Sequence, residues 1–270
     1  MGDKQIEQTE IFHKLHQPGN PLILCNAWDA GSAAVIELAG AKAIATTSSG
    51  LAAANGYPDG EKLPRAQLVN AVSLIMRVVK VPVTVDIERG FGQGGDVTET
   101  IRGITDAGAT GINLEDGSLA PEVLIAKIRD IREFVQSRGV GLFINARTDV
   151  YLRGLVSAEA RFDETVRRVR QYSEAGADGA FVPGVTDQAT IANLAKAIPL
   201  PLNVMVQEGL APVSSLREAG VARISTGGWA TFAALSLTHR MAQEIFGEGT
   251  YTSMLSGVTL NRGEFQRMLR

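Results

Sequence analysis

Val81-Pro-Val-Thr-Val-Asp-Ile-Glu-Arg-Gly90 reads as a buried strand that ends on two acids. β-Branched residues run to Val85, and Asp86 and Glu88 follow at the strand's end. Side chains two apart on a strand point the same way, so the two acids are expected to project together. A glycine-rich run, Gly90-Phe-Gly-Gln-Gly-Gly95, comes next and reads as a flexible loop. An amphipathic helix precedes the strand (Pro64–Val79) and another follows it (Val97–Ala107). The same unit recurs along the chain. Strands are expected at Leu22–Asn26, Ala43–Thr47, Val83–Ile87, Gly111–Leu114, Gly141–Asn145, Gly179–Val182, Pro201–Val206 and Ala222–Ser225, each followed by a helix. Helical crossovers imply a parallel sheet. The joints Ala39-Gly40-Ala41, Ala107-Gly108-Ala109, Ala175-Gly176-Ala177 and Ala219-Gly220-Val221 precede every second strand. Glycine there ends a helix in a left-handed cap. A doubly wound open sheet uses similar joints, but eight units in 270 residues favour a closed (β/α)8 TIM-type barrel. One domain is expected over residues 1–270, with a short N-terminal helix (Gln5–Leu15) and a helical C-terminal tail.

Composition narrows the function classes. The net charge is −3 and there is no basic block, so nucleic acid is not an expected partner. No apolar run reaches the roughly 20 residues that span a bilayer, and Met1–Glu10 is too polar for a signal peptide. The single cysteine, Cys25, excludes an internal disulfide and fits a reducing cytoplasm. It reads as a core thiol.

A barrel places its site at the C-terminal ends of the strands. Those ends carry Asn26, Trp28 and Asp29; Thr46 to Gly50; Asp86 and Glu88; Glu115 and Asp116; Asn145, Arg147 and Asp149; Pro183 and Gly184; Gln207; and Thr226 to Gly228. Carboxylate oxygens suit Mg²⁺, which keeps waters and takes further ligands from its substrate. Arg147 can clamp a carboxylate through two parallel hydrogen bonds. Thr47, Ser48, Ser49 and the Gly50 N–H can cradle a second anionic group. Each has a plainer reading. Asp86 and Glu88 can cap loops or pair with Arg89, and Glu115-Asp116 can cap a helix. Arg147 can pair with Asp149 or Glu115, and Ser48-Ser49-Gly50 can be a turn. A common rim favours the site. His13, His16 and His239 lie off it, which argues against a histidine triad or a His-ligated zinc. No phosphate-binding glycine fingerprint follows the first strand. Trp28 and Phe91 can wall the site against water.

With these residues assembled, the chain resembles the isocitrate lyase/phosphoenolpyruvate mutase superfamily. The resemblance runs from Pro21-Leu-Ile-Leu-Cys-Asn-Ala-Trp-Asp-Ala30 to the helix after the eighth strand. It is carried by Thr47-Ser-Ser-Gly-Leu51, Val85-Asp-Ile-Glu-Arg-Gly-Phe-Gly92, Ile112-Asn-Leu-Glu-Asp116 and Asn145-Ala-Arg-Thr-Asp149. It implies an α-keto acid or enolate held with Mg²⁺. Asp86 would be the closest metal ligand, Glu88 and Glu115 would act through water, and Asp59 would be an outer partner. Ser49, Gly50 and Leu51 would hold one anionic end of the substrate and Arg147 the other. It also implies a homodimer or homotetramer that exchanges the last barrel helix, here Thr231–Phe246. Where relatives that cleave isocitrate or methylisocitrate carry a Lys-(Lys/Arg)-Cys-Gly-His loop, this chain has Glu115-Asp-Gly-Ser-Leu-Ala-Pro121. The family histidine near the sixth strand gives way to Val182-Pro183, and the loop is too short for a mutase gate.

The expectation is a cytoplasmic, Mg²⁺-dependent carbon–carbon lyase or decarboxylase for a small α-keto or 2-hydroxy diacid. Arg147, Asp59 and Glu115 are its expected catalytic residues; no side-chain acid stands out beyond Tyr57 and Tyr151 as candidates, and water or a weak acid can protonate the enolate. Phosphorus–carbon bond chemistry on phosphonopyruvate or phosphoenolpyruvate is the alternative enzyme. A keto-acid-binding protein without turnover is the alternative outside catalysis.

Overall fold

In the computed structural model, which describes residues 2–91 and 96–269, the chain alternates strands and helices throughout. Residues 92–95 of the glycine-rich run lie outside the described residues. The strands are β1 (Leu22–Leu24), β2 (Asn26–Ala27), β3 (Ile44–Thr46), β4 (Val83–Asp86), β5 (Gly111–Glu115), β6 (Phe143–Arg147), β7 (Gly179–Phe181), β8 (Leu202–Met205) and β9 (Arg223–Ser225). All pair in parallel, in the order β1-β9-β8-β7-β6-β5-β4-β3-β2. β1 and β2 are the two halves of one expected strand, split at Cys25. β1 pairs with β9 and β2 with β3, so the split strand joins the two ends of the sheet. The result is the expected (β/α)8 barrel.

The barrel helices are α2 (Ala30–Leu38), α4 (Arg65–Val78), α5 (Thr98–Ala107), α6 (Pro121–Arg138), α7 (Arg161–Ala175), α8 (Gln188–Ala197), α9 (Val213–Glu218) and α10 (Trp229–Gly247). α1 (Gly2–Lys14) precedes the barrel, α3 (Ser48–Ala54) is inserted after β3, and α11 (Thr252–Ser256) and α12 (Arg262–Met268) form the tail. Gly108 and Gly176 end α5 and α7 at φ 106° and 110°, the left-handed caps expected of the Ala-Gly-Ala joints. Val83 and Val85, Ile112 and Leu114, and Leu124, Ile128 and Ile131 of α6 are fully or almost fully buried in the layer between sheet and helices.

Two segments differ from expectation. β6 lies two residues beyond Gly141–Asn145, because Gly141 and Leu142 are engaged elsewhere. Gly141 bonds through both its N–H and its carbonyl to the Gln5 side chain, and the Leu142 carbonyl accepts from Arg132 Nη1 at 2.7 Å. Arg147 therefore ends a strand instead of starting a loop. Thr47–Leu51, expected as an anion-binding loop, leads into a helix from Ser48 to Ala54, whose alanine-rich end is a strong helix former.

The register sets the rows of the barrel interior. Asp86, Asn113, Asn145 and Gly179 form one row; Glu115, Arg147, Phe181, Asn203 and Arg223 form another. At the opposite end α1 acts as a stopper. Gln5 Nε2 donates to the carbonyls of Ala109 and Gly141, just before β5 and β6. The Phe12 ring meets Phe143 edge-on at 5.4 Å, and His16 stacks on Phe143 at 4.1 Å.

α10 meets the barrel through its first turn, near β2. Beyond it, Leu235 and Phe246 face outward, Phe246 at 87 % exposure. An apolar cavity of about 540 Å³ opens on the barrel's outer wall, lined by Leu22, Ile23, Cys25, Val35, Ile36 and Ala39 among others. Cys25 is thus half-buried at the outer wall and is not a core thiol. Among the described residues, no helix is long and apolar enough to cross a membrane.

His16 gives the stopper a pH signature. Its Nδ1 donates to the Phe12 carbonyl at 2.8 Å, while burial, aided by the charge of Arg223, lowers its pKa from 6.5 to about 3. Between those values the unfolded chain binds a proton that the folded chain does not. Stability contributed by neutral His16 is therefore complete above about 6.5 and is lost as pH falls toward about 3. Urea unfolding across that range should show this slope, and His16→Leu should flatten it. An equally steep slope in the variant would place the acid sensitivity elsewhere.

Candidate active site

The C-terminal ends of the strands open into a cavity with two lobes. The main lobe, about 400 Å³, is lined by Asn26, Thr47, Ser48, Ser49, Asp86 and Asn113 on one side and by Phe181, Met205, Trp229 and Phe232 on another. The polar lobe, about 270 Å³, is lined by Glu88, Arg89, Glu115, Ser118 and Arg153. Ser48, Asp59 and Arg147 line both lobes and mark where they join.

Asp86 ends β4. Its Oδ2 accepts from the Ser48 N–H at 3.3 Å and its Oδ1 from the Glu88 N–H at 3.2 Å. Glu88 reaches the cavity by a different route from the one expected. The strand stops at Asp86, and Glu88 adopts a left-handed φ of 48°, so strand alternation does not orient it. Its carbonyl accepts from the Glu115 N–H at 2.8 Å, which pins the turn to β5. Arg89 pairs with Glu61 and not with Asp86 or Glu88. Asp59 comes from the loop between α3 and α4.

Arg147 is held from two sides. Nη1 meets Glu115 at 2.8 Å, while Nε and Nη2 donate to the two oxygens of Asp149 at 2.7 and 3.2 Å. Both plainer readings of Arg147 are therefore real contacts. A guanidinium has five N–H donors, so two remain for a ligand. Burial opposes the Arg147 charge, and Glu115 and Asp149 outweigh it, keeping the group protonated. Asp149 also pairs with Arg153 at 2.7 Å, and its N–H donates to Asp116 Oδ1 at 2.9 Å. Asp116 Oδ2 accepts from Arg168 Nη1 at 2.8 Å and from the Tyr172 hydroxyl at 2.7 Å. Asp116 is thus a buried anchor between β5, β6 and α7. It does not cap α6, whose N-cap is Ala120.

Of the expected anion-binding residues, Thr47 and Ser49 line the cavity, with 3.1 Å between their hydroxyl oxygens. Gly50 and Leu51 do not. A Cβ on Gly50 would lie 2.5 Å from Thr231 Oγ1 and 2.9 Å from Trp28 Cβ, so this glycine permits the packing of α3 against α10. The helix turns Leu51 into the core, where it is fully buried. Tyr57 and Tyr151 line neither lobe, nor do Trp28 and Phe91. The wall is made instead by Phe181, Met205, Trp229 and Phe232, which in sequence look like ordinary core residues. Asn113 was missed too, though it lies two before Glu115 on a strand and so shares its face.

The donor set is all oxygen. Burial raises Glu88 to about 7, and the charges of Asp86, Asp59 and Glu115 add to this. Burial also raises Glu115 to about 7; Arg147 opposes the rise, while Asp86 and Asp149 reinforce it. No three His, Cys, Asp or Glu side chains among the described residues form a ready-made cage. Mg²⁺ needs none, since one or two carboxylates hold it and water completes the shell. Asp86 as a direct ligand, with Asp59, Glu88 and Glu115 reached through water, fits that pattern.

The sequence profile of the phosphoenolpyruvate phosphomutase family matches residues 12–246. An uncharacterised Mycobacterium tuberculosis protein is 37 % identical over 80 % of this chain and 81 % of its own. The 2-methylisocitrate lyase of Aeropyrum pernix is 28 % identical over 96 % and 86 %, and the oxaloacetate decarboxylase of Ectopseudomonas mendocina 30 % over 70 % and 67 %. A crystal structure of a provisionally named phosphonomutase from Burkholderia cenocepacia superposes with a TM-score of 0.85 at 42 % identity, covering 89 % of this chain and 99 % of that one. The chain belongs to the isocitrate lyase/phosphoenolpyruvate mutase superfamily.

Asp116→Ala would strand Arg168 and Tyr172 in the interior. It should cost about 3–5 kcal/mol of unfolding free energy, measured by urea denaturation. A loss below about 1 kcal/mol, the worth of an exposed pair, would show that the anchor is not buried as described.

Proposed function

We propose that this protein is a Mg²⁺-dependent carbon–carbon lyase or decarboxylase acting on a small α-keto or 2-hydroxy diacid. One observation carries the reading: the preset Arg147 fork and the Asp86 carboxylate open on one cavity, with oxygen donors around them. Mg²⁺, when bound beside Asp86, supplies positive charge next to a keto oxygen as electron density moves onto it. The two spare donors of Arg147 grip one substrate carboxylate, and the Thr47, Ser48 and Ser49 hydroxyls receive the other. The buried Phe181 and the partly buried Met205 exclude water from one side of the main lobe, which strengthens both contacts.

Decarboxylation fits the lining best. When the bond to the departing carboxylate breaks, its electron pair enters the enolate, CO₂ leaves, and a proton must come to carbon. No Lys, His or Cys lines either lobe among the described residues, so the proton comes from water or from the raised carboxyl of Glu88 or Glu115. The likeness to an oxaloacetate decarboxylase supports this choice.

Phosphorus–carbon chemistry is the second reading, favoured by the likeness to the provisionally named phosphonomutase; Arg147 and the serines suit a phosphonate as well as a carboxylate. Phosphorus NMR of phosphonopyruvate incubations distinguishes the two. Oxaloacetate decarboxylation should need Mg²⁺ and fall roughly 100- to 1,000-fold in kcat/KM in Asp86→Ala. Activity indifferent to metal chelation and to this variant would sink the lyase reading, and tight keto-acid binding without turnover of any keto acid would favour a binding protein.

The outward apolar face of α10 and the apolar cavity beside β1 support helix exchange in a homodimer or homotetramer. Leu235→Asp with Phe246→Asp should shift the mass measured by light scattering to that of the 28.7 kDa monomer. A monomeric wild type would remove the proposal.

A further inference from the structure

At the floor of the main lobe lies a layer of buried polar side chains that the proposed reaction does not use: Asn113 and Ser225, which line the lobe, and Asn145, Asn203 and Arg223 below them. Arg223 is the unusual member. It is fully buried, and it forms no ion pair among the described residues. Burial lowers its pKa to about 9, with only the charge of Asp86 in its support, so it stays charged at neutral pH. Among the described residues its Nη1 has no partner. A guanidinium kept this way costs stability.

What Arg223 holds is an orientation. Its Nη2 donates to Asn113 Oδ1 at 3.0 Å, and Asn145 Nδ2 donates to the same oxygen at 2.9 Å. Both lone pairs of that oxygen are engaged. A flipped amide would set its NH₂ against two donors, so the network fixes the amide one way round. Among the described residues Asn113 Nδ2 is left with donors and no protein acceptor. Asn113 lines the main lobe with Asp86 and Arg147, and the register sets it beside Asp86.

We propose that Asn113 is a substrate-contacting residue whose Nδ2 donates to an anionic oxygen of the bound keto acid, and that Arg223 is the residue that positions it. The substrate class rests on the lyase reading; the coupling of the two residues does not. The buried charge also acts on the same oxygen from below, with the Asp86 carboxylate as the opposing charge nearby.

The test is a double-mutant cycle read by calorimetry with oxalate, a planar keto-acid mimic, in Mg²⁺. Asn113→Ala should weaken oxalate binding roughly 10- to 100-fold, the worth of a hydrogen bond to a charged group. Arg223→Met should weaken it comparably while leaving the melting temperature unchanged or raised, because it removes an unpaired buried charge. The double variant should bind no more weakly than Asn113→Ala, and Arg223→Lys should restore part of the loss. Additive losses, or an Arg223→Met protein that melts lower and keeps its oxalate affinity, would overturn the proposal. A second measurement needs no ligand. The Asn113 side-chain amide signal, assigned by its loss in Asn113→Ala, should shift in Arg223→Met; an unmoved signal overturns the positioning role. If wild-type protein binds no oxalate, the keto-acid reading and the contact proposed for Asn113 both fall, and the amide signal still decides what Arg223 does.

Discussion

The buried pairing of Arg147 with Glu115 and Asp149 is the constraint on which the mouth of this barrel depends. It belongs to a longer chain of contacts. Asp149 also holds Arg153, and its N–H is held by Asp116. Asp116 is held by Arg168 and Tyr172, and Arg168 by Glu164. The ends of β5 and β6 and one face of α7 are thereby tied into one electrostatic unit. Because Asp116, Asp149 and Tyr172 are buried, a missing partner leaves a group that water cannot reach. The unit is complete or it is costly. Under the proposed function, its return would be an Arg147 fork already oriented when a ligand arrives, leaving little reorganisation for the reaction.

The charges around the cavity are arranged by elevation. Acids crowd the rim at Asp59, Asp86, Glu88 and Glu115, the guanidinium groups of Arg89, Arg147 and Arg153 stand among them, and that of Arg223 lies under the floor. At Glu115 burial outweighs the ion pair with Arg147: its carboxyl is raised although a cation sits 2.8 Å away. Contact with one cation does not replace the hydration that four crowded carboxylates lose. The apolar wall of Phe181 and Met205 sharpens the contrast, and Phe181 packs beside Arg147 with the guanidinium carbon 5.7 Å from its ring centre.

Much of this was legible in the chain because it is local. Apolar runs and Ala-Gly-Ala joints mark strands and caps within a few residues of themselves, and strand ends point to Asp86, Glu115 and Arg147 once a barrel is recognised. Glu88 shows the limit. Its place on the rim was foreseen from strand alternation, yet the chain leaves the strand first and turns through a left-handed residue. Leu51 was hidden for a similar reason, since an inserted helix changed which side chains face inward. The wall residues were unreadable because an apolar residue in a strand or helix looks the same whether it packs on protein or on substrate. Arg223 was harder still. In sequence it is one basic residue in a short strand, and its partner Asn113 lies 110 positions away.

The stopper made by α1 bears on traffic. With Phe12, His16 and Phe143 filling the lower end, that end of the barrel is closed. For an enzyme that divides one substrate into two products, both fragments must leave by the way the substrate came. The fragment resting on the floor is then trapped behind the one nearer the rim. Release becomes ordered by depth, and the deeper fragment, still on the binding groups, competes with the next substrate for an empty site.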